Sequence, residues 1–139
     1  MMDHWKERFQ LEGILSILAG GMTLASRVNR GFREDVSQHN GVAEIRTEDR
    51  SVARRFYISN GTLRAARGPH PSPDYAIVYQ DVPVALRILK KGSQEAAFQA
   101  ISEGKMKFEG DMAFGMWFNE LLQKLGVLLK EPGKLLGLS

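Results

Sequence analysis

Cysteine is absent from the 139 residues. That excludes disulfides, thiolate metal sites and a cysteine nucleophile, and it fits a reducing compartment. Histidine is scarce. His4, His39 and His70 stand alone, none with a second histidine or a carboxylate at metal-ligand spacing. The sequence has no G-x-S-x-G elbow and no phosphate-cradling glycine loop. Its carboxylate neighbours are Glu34-Asp35, Glu48-Asp49 and Glu109 near Asp111. Acid–base chemistry needs two carboxyls in one cleft with separated pKa values. Here Asp111 is placed to cap a helix and Glu109 falls on the charged side of a strand. The expectation is a binding protein, not an enzyme, with no metal and no cofactor.

Long hydrophobic runs are also lacking. The longest charge-free stretch, Gly13 to Ser26, is shorter than the ~18 residues a membrane span needs, and Gly20-Gly21 divides it. Acidic Asp3, Glu7 and Glu12 outnumber Lys6 and Arg8 ahead of it, which is unlike a secretory leader. The chain ends GLS, not a peroxisomal SKL. A cytoplasmic location is expected. The net charge of +3 is modest and the basic residues form no dense run. RRFY, Arg54 to Tyr57, is the one place where basic and aromatic residues interleave as single-strand binders require, so no nucleic-acid partner is expected.

What is present is ordinary globular material, 43% hydrophobic and 25% charged, enough for one core. Residues 3 to 19 have helical apolar spacing, Gly20-Gly21 predicts a break, and Met22 to about Gln38 predicts a second helix. Arg27, Arg30 and Arg33 would make a basic ridge on it. Strand alternation follows over 42–48 and 51–59. Asn60-Gly61 is a hairpin turn needing positive φ at both positions, and 62–67 returns. Three prolines in 68–74 exclude regular structure, and 75–80 is a fourth strand. Asp81 and Ser93 cap helices over 82–91 and 94–102, stopped by Gly92 and Gly104. A fifth strand spans 105–109, and Asp111 caps a last helix from Met112 to about Lys130. The order predicts an α+β fold, a mainly antiparallel sheet with helices packed over one face.

The last helix is apolar all round in its first two turns. At 100° per residue, Ala113, Phe114, Trp117, Phe118, Leu121, Leu122, Leu125, Leu128 and Leu129 fill roughly half the circle. Met112 and Met116 fall outside that stripe. They need a cover other than the sheet, and methionine suits an adaptable apolar surface.

From about Val42 to Leu125 the chain resembles a sterol carrier protein type 2 domain. The resemblance rests on YISNGTLR, DYAIVYQDVPVALRIL and SEGKMKFEGDMAFGMWFNELL, where Gly104, Lys105, Met106, Phe108, Gly110, Asp111 and Met112 match the family's ending in order. It implies a five-stranded sheet and an apolar tunnel beneath the helices. Such domains bind fatty acids, acyl-coenzyme A, sterols or isoprenoid and quinone-like lipids without chemistry, and bacterial relatives serve ubiquinone assembly. The lining positions it implies are Leu86, Leu89, Phe98, Ile101, Met106, Phe108, Met112, Met116 and Trp117. The division expected is a helical extension (1–40), a lipid-binding domain (41–130) and a tail (131–139). Three roles stand open for the extension: a plug in the tunnel, a peripheral membrane contact, or a homodimer interface. A scaffold with a side-chain-filled tunnel is the alternative to a lipid carrier.

Overall fold

The computed structural model describes residues 4–136, so the start expected for the first helix at residue 3 and the end of the expected tail lie outside the described residues. Helix α1 (His4–Val28) and the short α2 (Arg30–Val36) lead into β1 (Gly41–Thr47), β2 (Ala53–Ser59) and β3 (Thr62–Arg67). Then come β4 (Tyr75–Tyr79), α3 (Val82–Lys91), α4 (Gln94–Ser102), β5 (Met106–Gly110), α5 (Met112–Lys130) and the one-turn α6 (Pro132–Leu135). The five strands form one sheet in the order β3-β2-β1-β4-β5. Every pair is antiparallel except β1 with β4, so the sheet is mainly antiparallel, as the pattern implied.

Local chemistry sets the boundaries. Asn60 and Gly61 both take positive φ, 51° and 79°, as the two-residue hairpin turn demands. The carboxylates of Asp81 and Asp111 accept from Val84 N and Phe114 N, and the Ser93 hydroxyl accepts from Ala96 N, so each helix has an N-cap. Gly92 ends α3 in the left-handed conformation at φ 59°.

The register sorts the sheet into two faces. Ala43, Ile45, Phe56, Ile58, Leu63, Tyr75, Ile77, Tyr79, Met106 and Phe108 point to the helix side. Apart from Phe108, which is half-buried, all of these are buried. On the other face Arg46 on β1 and Glu109 on β5 pair at 3.2 Å across the intervening β4, roofing Ala76 and Val78. Glu44 is fully buried there, its carboxylate 2.9 Å from Arg46 Nε as an ion pair and accepting from His70 N at 2.6 Å. The proline-rich segment after β3 therefore crosses this face at β2 and β1 through His70, while the Arg46–Glu109 pair covers β4, whose residues are all buried.

Two expectations for the N-terminal half need correction. The chain does not break at Gly20-Gly21. It continues as helix to Val28 and turns at Asn29, whose side chain caps α2 by accepting from Phe32 N at 2.9 Å. A helix through two glycines costs roughly 1 kcal/mol at each relative to alanine. Packing offsets this at Gly21, where a Cβ would already touch Leu125 Cδ1 at 3.2 Å, so the missing side chain lets α5 approach. Nor do Arg27, Arg30 and Arg33 share one helix face. Arg27 ends α1, Arg30 pairs with Glu34, and Arg33 donates back to Arg27 O. Helix α1 buries Leu11, Leu15, Ala19, Met22 and Ala25 in the same core as the sheet, lying against α2, α3, α5 and β3. By length and composition Trp5–Val28 could cross a membrane, yet a third of its most apolar 18-residue window is buried inside the fold. The tail contributes too, through Leu135 of α6.

Candidate functional site

Tyr75 explains how α5 sits on the sheet. Its ring lies directly under Gly115, where a Cβ would fall 2.6 Å from Cζ and closer still to the ring's flank. Asn119 Nδ2 donates to the Tyr75 hydroxyl at 3.0 Å. Burial pushes that phenol up to about 12, against a smaller opposing effect of Asn119, so it stays protonated. Phe108, on β5, has its ring 5.9 Å from that of Tyr75 and continues the floor toward the sheet edge.

The rest of α5 follows from its helical order. Trp117 donates from Nε1 to Asp35 O at 3.0 Å and lies 4.7 Å from the His39 ring, which fixes its flank against the α2 end. Phe114, Phe118 and Leu121 come next and are buried. Gly115 and Asn119 stand over Tyr75. Beyond them, at about 100° per residue, come Met112 and Met116. This pair therefore overhangs the β5 side, and it is open, Met112 47% and Met116 67% exposed.

Helix α4 also lies on β5, packed against α3. Its Ala96 and Ala100 face α3, with Ile88 opposite. That turns Ile101 and Phe98 to the other flank; Ile101 is half-buried and Phe98 is 67% exposed.

Phe108 thus lies on β5, Met112 and Met116 on α5, and Ile101 and Phe98 on α4, and both helices contact that strand. Leu86 and Met106 are buried in the core, and Leu89 packs against it half-buried. Trp117 stands on the far flank of α5 and does not join the methionines. Four clefts among the described residues are open ones of about 560, 230, 310 and 240 Å³. Of the nine positions only Met106 lines any of these. The stripe expected on α5 also needs one adjustment: Ala113 and Leu129 are exposed.

Sequence reasoning missed a cleft of about 560 Å³ between α1 and the strands β2 and β3, lined among others by Arg27, Arg54 and Arg67. The signal was available: Arg54 occupies the same strand phase as the core residues Phe56 and Ile58. Among the described residues, no three histidines, cysteines or carboxylates gather as a metal site would need.

No family model matches the sequence, and no curated protein matches it significantly. Solved structures do. One, named "UbiJ-SCP2 Ubiquinone synthesis protein", superposes with a TM-score of 0.57 at 15% identity, covering 84% of this chain and 98% of its own. Another, named "Crystal structure of sterol carrier protein 2", gives 0.55 at 16% identity, covering 82% and 94%. At such identities the likeness is one of fold. The chain has the sterol carrier protein 2 fold.

Proposed function

We propose that the protein binds a hydrophobic ligand without chemistry, at the edge where α4 and the start of α5 overhang β5. The carrying observation is the exposure of Phe98, Met112 and Met116 on the two helices that contact β5, with Ile101 and Phe108 half-buried. Large apolar side chains gathered in this way mark a surface awaiting an occupant. The fold likeness supports a lipid as that occupant: a fatty acid, acyl-coenzyme A, sterol or isoprenoid. Each methylene moved from water onto such a surface contributes about 0.8 kcal/mol. Leu86, Leu89, Met106 and Trp117 complete the proposed lining. Trp117 acts from behind, by holding α5 in place through Asp35.

Fluorescent fatty-acid titration and mass spectrometry of solvent extracts test this reading. Binding should be lost in Met112→Asp and Met116→Asp, both at exposed positions where the fold tolerates charge. No bound lipid and no titration with the native protein would refute it.

A second reading has its own observation, the burial of Leu86, Met106 and Trp117 in a filled core. In it the protein is an accessory scaffold acting through protein contacts, as a homodimer or at a membrane through the exposed Trp5 and Phe9. Both readings place it in the cytoplasm. Light scattering and vesicle flotation separate them from lipid carriage.

A further inference from the structure

On the helix-covered face, at the sheet edge opposite β5, lies the cleft between α1 and β2–β3. Ser16, Gly20, Thr23, Leu24 and Arg27 of α1 form one wall, with Arg54, Ala65 and Arg67 opposite. Arg54 and Arg67 are direct cross-strand partners on one face, an arrangement that repulsion makes costly. Arg54 is 5% exposed, and its Nε has no hydrogen-bond partner. Its Nη2 reaches Ser16 Oγ at 3.3 Å and Glu12 O at 3.5 Å. Glu12 Oε2 serves both arginines, at 3.6 Å from Arg54 and 2.5 Å from Arg67. Arg27, at the exposed end of α1, has no carboxylate partner among the described residues.

Three guanidiniums against one carboxylate leave two positive charges at the cleft. Burial lowers the Arg54 pKa, with Glu12 only partly opposing it, so the cation is held there at a cost. A group with no function at this position would be expected to be apolar like Phe56 and Ile58. The excess matches a dianion. A phosphate monoester carries a charge of about −1.5 to −2 near neutrality, whereas a carboxylate would leave one guanidinium unmatched. Planar guanidinium forks suit phosphate oxygens in pairs.

We propose that this cleft binds a phosphate dianion, with Arg27, Arg54 and Arg67 as its ligands. It is independent of the apolar edge on β5. The source is a lipid headgroup or a free phosphate ion, and the cleft's Leu24 and Ala65 walls favour an apolar substituent on the ester.

Isothermal titration with inorganic phosphate, dihexanoyl phosphatidic acid and dihexanoyl phosphatidylcholine tests the proposal. Phosphatidic acid should bind tightest, phosphate more weakly, and the zwitterion not at all. Equal binding of phosphate and phosphatidic acid would keep the phosphate site and assign it to free phosphate. Arg27→Gln with Arg67→Gln, both exposed and safe for the fold, should weaken binding at least about tenfold, the loss of charge-assisted bonds. Glu12→Gln should tighten it by removing the competing carboxylate, an effect that a merely structural arginine pair would not show. The proposal falls if neither phosphate probe binds, if the double variant binds like the native chain, or if the zwitterion binds as well as phosphatidic acid.

Discussion

Replacing Gly115 by alanine tests the seating of α5 on the sheet. Alanine is the better helix former by about 1 kcal/mol, so propensity alone predicts stabilisation. The structure predicts the reverse. The new Cβ would fall within 2.6 Å of Tyr75 Cζ, and Tyr75 cannot retreat. Its ring is buried, it belongs to the doubly covered strand β4, and its hydroxyl is held by Asn119. Overpacking of this kind costs typically 1–3 kcal/mol, and a ring pinned at both ends should put this site at the upper end of that range. The net expectation is a loss of about 1–2 kcal/mol after the propensity gain. Gly126, on the same helix with nothing within 4 Å of its would-be Cβ, is the matched control. There the same substitution should stabilise by up to about 1 kcal/mol. Urea denaturation reads both as shifts in midpoint of opposite sign at unchanged slope. Shortening the ring in Tyr75→Leu should relieve Gly115→Ala, a non-additive coupling of about 1 kcal/mol or more. If Gly115→Ala raised the midpoint as Gly126→Ala does, α5 would not lie on Tyr75, and the overhang of Met112 and Met116 would lose its basis.

Other substitutions probe separate links. Asn29 both caps α2 and donates to Lys134 O at 2.7 Å, so Asn29→Ala should cost about 1–2 kcal/mol, seen in thermal melts. Met116→Asp should leave stability within about 0.5 kcal/mol of native while fatty-acid binding disappears, because the position is exposed. Trp117→Phe removes the bond to Asp35 O and should cost about 1 kcal/mol by the same melts. Asp49 is held below the usual carboxylate range first by the Ser51 N–H and then by the Thr47 and Ser51 hydroxyls; Glu109 is held low chiefly by Lys107. Depressed folded-state values stabilise above the unfolded-state pKa, so stability should fall as pH drops through the region below about 4, followed by circular dichroism.

Legibility in the sequence tracked how local the physics was. The caps at Asp81, Ser93 and Asp111 and the Asn60-Gly61 turn depend on a few neighbouring residues, and the helices and hairpin they bound formed where the pattern put them. The strand alternation gave the helix-facing residues, since period two leaves little choice. The break expected at Gly20-Gly21 failed because its cause is remote: Leu125 and Leu129 of α5 pack where the glycine leaves room. The same holds for the arginine ridge, which the turn at Asn29 splits, and for the exposed Phe98, whose helix is placed by α3. Arg54 was readable as a polar residue in an apolar phase. Its meaning required β3 and α1 to be brought beside it.

Exposure divides the nine proposed lining positions. A buried methionine needs no explanation beyond the core, and Met106 has none to offer. Met112 and Met116 differ, and the reason lies in Gly115 and Asn119. Without a Cβ at 115 the helix drops onto Tyr75, and Asn119 then ties it there by the phenol hydroxyl. A helix held so low on β4 must carry its next flank outward over β5, whose own side chain at that point is the half-buried Phe108. The apolar edge is thus a consequence of how tightly the adjacent face packs. Any change that lifts α5 should bury or displace the methionines and weaken ligand binding together with stability, whereas changes at the methionines themselves should weaken binding alone. Measuring both quantities across Gly115→Ala, Met112→Asp and Met116→Asp separates a packed edge from an occupied one.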